Sequence, residues 1–142
     1  MALICDTGPL YAVMDRDDDD HDACAQLLER PAESLVIPAP VVVEVEWLTS
    51  ARLGARAVDQ FLGAVEAGEF DVEELGPPDY TRIRTLCRTY ADLGLGLVDA
   101  SVVAVAERLG ELRIVTLDRR HFGVVRPQHG DAFELLPSGA GP

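Results

Sequence analysis

Ala2-Leu3-Ile4-Cys5-Asp6-Thr7-Gly8-Pro9-Leu10 opens the chain with a four-residue apolar run that halts at an aspartate. A short apolar run bounded by turn residues predicts a buried strand over residues 2–5. Thr7-Gly8-Pro9 then predicts a helix start, because proline in a first helical turn forfeits no hydrogen bond. The same pattern returns late in the chain, where the apolar run 112–117 halts at Asp118. Strands of this kind separated by helices predict an α/β fold, with a mostly parallel sheet covered on both faces. Ligands of such sheets bind beyond the carboxyl ends of the strands. Asp6 and Asp118 are therefore the first candidate site residues.

Working outward, residues 34–37 and 70–75 read as further strands, and 132–135 as a short edge strand. The acidic stretch 15–22 leads into a helix ending near Arg30, its aspartates suited to capping amides. Pro40 opens a helix through Leu53, and Gly54 marks its end. Residues 56–67 form another helix, closed by Gly68. Pro77-Pro78 starts one that runs to about Asp92. Val98, Val102, Val105, Ala106 and Leu109 recur at helical spacing and predict one buried stripe. No repeat or linker divides the chain, so residues 1–136 read as one domain and 137–142 as a disordered tail.

A length of 142 residues with 48% hydrophobic content is enough for one packed core. No apolar run approaches the ~18–20 residues of a membrane span. The first residues lack the basic start of a signal peptide, which makes the cytoplasm the expected compartment. Cys5, Cys24 and Cys87 are far apart and read as small buried hydrophobes. His21, His121 and His129 are scattered, and no His/Cys group has zinc spacing. All twelve basic residues are arginine, which excludes any mechanism that needs a lysine. The net charge is −13, of which residues 15–22 supply −5. This acidity argues against broad nucleic-acid binding but leaves room for a metal-dependent nuclease.

Two further acids join the strand-end pair. In Pro40-Val41-Val42-Val43-Glu44-Val45, Glu44 falls on a stripe with Val41, Val45 and Leu48, which predicts an inward-facing carboxylate. Glu46 points off the stripe. Asp99 follows Leu97-Val98 at the head of the most apolar helix. Taken singly, each acid also fits an ordinary cap, turn or solvated position. Together, Asp6, Glu44, Asp99 and Asp118 form a set that needs a cation. Two unit charges ~4 Å apart repel by roughly 4 kcal/mol at an effective dielectric near 20. Oxygen-only ligands select Mg²⁺ or Mn²⁺, which activate water and stabilise charge on a phosphate. With no lysine and few arginines near these motifs, the neutralising charge is expected from a metal or a second chain.

Other features have plainer readings. The run Asp17-Asp18-Asp19-Asp20 lacks the glycine and the final glutamate of a calcium loop and reads as a solvated helix start. Arg119 and Arg120, beside Asp118, are candidates for gripping RNA phosphates. Arg84 and Arg88 share a solvated helix face. Trp47 and Phe61 fit either the core or a dimer contact, with the core as the default.

The ordered segments Asp6-Thr7-Gly8-Pro9-Leu10, Pro40-Val41-Val42-Val43-Glu44-Val45, Leu97-Val98-Asp99-Ala100-Ser101 and Thr116-Leu117-Asp118-Arg119-Arg120-His121-Phe122 resemble those of PIN-domain ribonucleases. The likeness is to VapC-type toxins of toxin–antitoxin pairs and covers roughly the first 125 residues. It implies a three-layer α/β/α domain and a metal-dependent endoribonuclease using Mg²⁺, with Mn²⁺ as alternative. Asp6, Glu44, Asp99 and Asp118 would line the metal site, Asp6 and Asp99 most directly, with Thr116 as a supporting hydroxyl. Expected partners are RNA, a VapB-type antitoxin and a second copy of the chain. The competing readings are a non-catalytic PIN-like binding module and a phospho-accepting receiver domain. The receiver reading wants an acidic neighbour beside Asp6 and a late lysine, and the chain has neither. A haloacid-dehalogenase phosphatase needs Asp-x-Asp, but position 8 is glycine.

Overall fold

Leu3, Ile4 and Cys5 are wholly buried because their strand, β1 (Ala2–Cys5), lies at the centre of the sheet. In this computed structural model, which describes residues 1–29 and 33–139, five strands run in the order β3-β2-β1-β4-β5. All four pairings are parallel. β1 sets Leu3 opposite Leu35 of β2 (Ser34–Pro38), and Ile4 opposite Ile114 of β4 (Arg113–Val115). β3 (Asp71–Glu73) and β5 (Glu134–Leu136) are the edges. The strands expected at 70–75 and 112–117 are present but shorter, since chain ends that leave the ladder lose strand pairing.

Helices flank the sheet in an α/β/α arrangement. They are α1 (Thr7–Met14), α2 (His21–Leu28), α3 (Ala39–Arg52), α4 (Ala55–Glu66), α5 (Pro77–Thr89), α6 (Leu97–Leu109) and α7 (Arg119–Phe122). A 3-10 turn, Ala91–Leu93, follows α5 and accounts for the helical pattern expected to reach Asp92. The helix expected to end near Arg30, a position outside the described residues, ends at Leu28 with Glu29 as its cap. The short α7 has no apolar repeat to announce it; Asp118 caps it by accepting from the His121 amide at 3.0 Å.

Several side chains sit differently from expectation, each for a packing reason. Residues 100–106 of α6 are buried all round rather than on one stripe, because α6 packs against β1, β2 and β4 as well as α3 and α5. Leu109, expected at the end of the stripe, is 39% exposed at the last position of α6. On α3 the buried positions are Val41, Val45 and Thr49, one apart by each helical turn. Glu44 lies on the flank of that narrow line and is exposed, which corrects its inward assignment. Trp47 is 68% exposed, whereas Phe61 is in the core as expected.

The acidic stretch is a solvated turn as well as a helix start. Asp15 accepts from the Asp17 amide and Asp18 from the Asp20 amide, while Asp20, at the head of α2, makes no side-chain cap. Cys5 and Cys24 are buried, and burial pushes both thiols up, Cys24 to about 11. Cys87 is only half-buried. Of the expected tail, Pro137 accepts a hydrogen bond from Arg119 at 2.7 Å; residues 140–142 lie outside the described residues.

Candidate active site

The chain order reverses between β1 and β4, and the crevice this leaves at their carboxyl ends holds the acids. Asp6 directly follows β1. Its amide donates to Val115 O at 2.9 Å, carrying the β1–β4 ladder one step past the strand. Its extended backbone then turns into α1 and aims the carboxylate inward, leaving the residue 5% exposed. Thr116, just after β4, donates its hydroxyl to Asp6 Oδ2 at 2.8 Å and accepts from the Asp118 amide at 3.0 Å. Asp99 lies in the first turn of α6. These elements bring Asp6, Glu44, Asp99 and Asp118 around one open pocket of about 490 Å³, whose wall also includes Thr7 and Leu48.

The pocket's electrostatics follow from this crowding. Burial is the main cause that lifts Asp6 from 3.8 to about 6. The Thr7 amide and Thr116 hydroxyl oppose the rise, and the charges of Asp99 and Glu44 add to it. Asp99 is raised by burial first and by Asp118 and Glu44 after that, with His121 pulling the other way. The Thr7 hydroxyl is buried and finds no hydrogen-bond partner among the described residues. Clustered carboxylates held away from their ordinary ionisation, with an orphaned hydroxyl beside them, fit a hard divalent cation.

His121 is the residue that sequence reasoning missed. Its Nδ1 lies 2.5 Å from Asp118 Oδ2 and 3.9 Å from Asp99 Oδ2, and its Nε2 lies 3.1 Å from Leu93 O. A carbonyl and a carboxylate both accept, so this pair of contacts favours the protonated ring. The Asp118 hydrogen bond is the main cause that raises its pKa. The expectation that neutralising charge comes from a metal or another chain took no account of His121, which brings a group that can carry one positive charge to the acids when protonated. The available signal was the Asp118-x-x-His121 spacing across one turn of helix.

The two arginines beside Asp118 part ways. Arg119 is spent on the Pro137 carbonyl. Arg120 is exposed and has no ion-pair partner among the described residues. Alongside the acid pocket lies a mostly apolar groove of about 610 Å³, lined in part by Val43, Trp47, Tyr80 and Leu97; Glu44 borders both.

The PIN domain profile matches residues 3–126. Ribonuclease VapC26 of Mycobacterium tuberculosis is 32% identical over 135 residues, covering 95% of this chain and all of that protein. Among solved structures, the M. tuberculosis toxin VapC20, described as cleaving the sarcin–ricin loop, superposes with a TM-score of 0.77 at 18% identity, over 92% of this chain and 99% of the other. A chain from the DNA-bound VapBC of Salmonella typhimurium superposes at 0.66 with 16% identity, over 95% and 98% of the two chains. With the profile spanning nearly the whole domain and a VapC relative aligned from end to end, the chain belongs to the PIN-domain family.

Proposed function

We propose that the protein is a divalent-metal-dependent endoribonuclease that acts as the toxin of a type II toxin–antitoxin pair. The observation that carries the reading is the set Asp6, Glu44, Asp99 and Asp118 around one pocket at the carboxyl ends of β1 and β4. The ribonuclease relative named above supports RNA as the substrate class. Family membership removes the receiver-domain reading, and the complete acid set disfavours a non-catalytic module.

Asp6 and Asp99 would hold Mg²⁺ or Mn²⁺ most directly, with Asp118 and Glu44 completing the ring of oxygens. When bound, such an ion supplies Lewis acidity toward a phosphodiester and lowers the pKa of water. Thr116 fixes the angle of Asp6 by donating to one oxygen, which leaves the other to face the pocket. Glu44, on the open rim, would reach the ion from the solvent side. Arg120, exposed two residues after Asp118, would meet RNA phosphates as they approach, whereas Arg119 holds the chain segment after β5.

The antitoxin of such a pair would present an arginine or lysine to the pocket and compete with the ion for the same oxygens. The exposed apolar groove along Trp47 and Tyr80 supports contact with a second copy of the chain. The expected location is the cytoplasm; among the described residues no helix is long and apolar enough to cross a membrane.

The test is RNA hydrolysis, with cleavage sites mapped by sequencing the ends. Activity is expected with Mg²⁺ or Mn²⁺, to stop with EDTA, and to fall by orders of magnitude in Asp99→Asn with the fold intact. Full activity in that variant would overturn the reading.

A further inference from the structure

His121 has the geometry of a metal ligand. A ligating histidine usually gives its second ring N–H to a carbonyl or carboxylate, which fixes the ring and leaves the other nitrogen facing the ion. Here Nε2 is committed to Leu93 O, in the 3-10 turn, at 3.1 Å. That contact turns Nδ1 toward Asp99 and Asp118, and one donor atom from each of the three residues lies within 4.8 Å of the others. Leu93, Asp99 and Asp118 come from three separate segments, so the ring is held on several sides at once.

We propose that Asp99, Asp118 and His121 form a mixed nitrogen–oxygen site for a divalent first-row transition ion, which the protein takes in preference to Mg²⁺. The proposal rests on the metal-dependent reading above and narrows it. Imidazole nitrogen is a poor donor for Mg²⁺ and a good one for transition ions, so a third ligand of this type shifts the preference within one acid pocket. Two donors at right angles on an ion ~2.1 Å away stand about 3 Å apart. The Nδ1–Oδ2 pair at 2.5 Å therefore opens by only about half an ångström, and the ion takes the place of the proton held between them. Asp99 faces both Asp6 and His121, so the nitrogen joins the acid set rather than forming a remote site.

The experiment uses Mn²⁺ as the probe on the full chain. Pulsed electron paramagnetic resonance reads a directly bound nitrogen as ¹⁴N modulation, which changes pattern when histidine is labelled with ¹⁵N. The expected result is modulation in the wild type and its loss in His121→Gln. Equilibrium binding should show Mn²⁺ weakened by about ten- to hundredfold in that variant, with Mg²⁺ weakened far less. The labelled variants His21→Gln and His129→Gln, which should both keep the modulation, assign it to His121 even if His121→Gln folds poorly. Mn²⁺ that binds in an Asp99-dependent way without nitrogen modulation would overturn this inference and leave the nuclease reading standing. Modulation that survives His121→Gln would place the ion on another histidine and would also overturn it. Mn²⁺ binding indifferent to both Asp6→Asn and Asp99→Asn would sink the nuclease site itself.

Discussion

The hydroxyl of Thr116 donates to Asp6 Oδ2 at 2.8 Å across 110 positions of sequence, and that hydroxyl's own oxygen accepts from the Asp118 amide. One buried atom thus ties the ends of β1 and β4 together at the acids. Thr116→Val keeps the shape but strands a carboxylate oxygen and an amide. It is expected to weaken divalent-metal binding by about ten- to hundredfold and to cost about 1–3 kcal/mol of stability. Thr116→Ser should restore both. Calorimetric titration and urea denaturation check the pair.

Protonation of Asp6 links metal affinity to pH. Its carboxyl is raised from 3.8 to about 6, so below about pH 6 a cation must displace a proton. Apparent affinity for Mg²⁺ is expected to fall by about tenfold for each further unit of acidification, and to level off at higher pH. Stability without metal should run the opposite way. Between 3.8 and about 6 the native Asp6 holds its proton more tightly than the unfolded chain, so stability falls as pH rises through that window. His121, raised by Asp118, stabilises fully below the ordinary 6.5 and loses its contribution as pH passes its folded value. Both slopes have one sign. Urea titrations in EDTA should find the protein more stable near about pH 5 than near about pH 8.

Two aromatic side chains should answer oppositely to truncation. Phe61 is 4% exposed and packs against Phe70, so Phe61→Ala should cost about 3–5 kcal/mol. Trp47 is 68% exposed, so Trp47→Ser should change the stability of the isolated chain by no more than about 0.5 kcal/mol. Thermal denaturation at low protein concentration separates the two.

Thr49 on α3 is wholly buried, and its hydroxyl has no partner among the described residues. Thr49→Val replaces that oxygen with a methyl of similar shape. A gain of about 1 kcal/mol is expected by chemical denaturation. A loss would mean that the hydroxyl is satisfied in solution.

The sheet was legible in the sequence because residues 2–5 and 112–117 carry their own boundaries, an apolar run closed by an aspartate. Burial of strands on both faces removes alternation, and that absence was itself the sign of a parallel sheet. Asp6, Asp99 and Asp118 were legible for the same reason, as each sits where an element begins or ends. Glu44 was found, but its exposure was not. Periodicity names a stripe without saying how wide the neighbouring element is, and only Val41, Val45 and Thr49 of α3 are covered. Trp47 failed for that reason too. His121 was hidden because its meaning depends on Leu93 O, 28 positions away, and on the orientation of a four-residue helix with no periodic signal.

The position of β1 in the middle of the sheet has a consequence for the making of the protein. Its first neighbour, β2, begins at Ser34, but its other neighbour, β4, begins only at Arg113. Asp6 is translated more than a hundred codons before Thr116 and Asp118 and waits for them. Until then β1 has one open edge, and the wall of the acid pocket that β4 supplies does not exist. On the proposed function, an unfinished chain would have no complete site to turn on the RNA around it, and the order of synthesis would protect that RNA before any partner protein arrives.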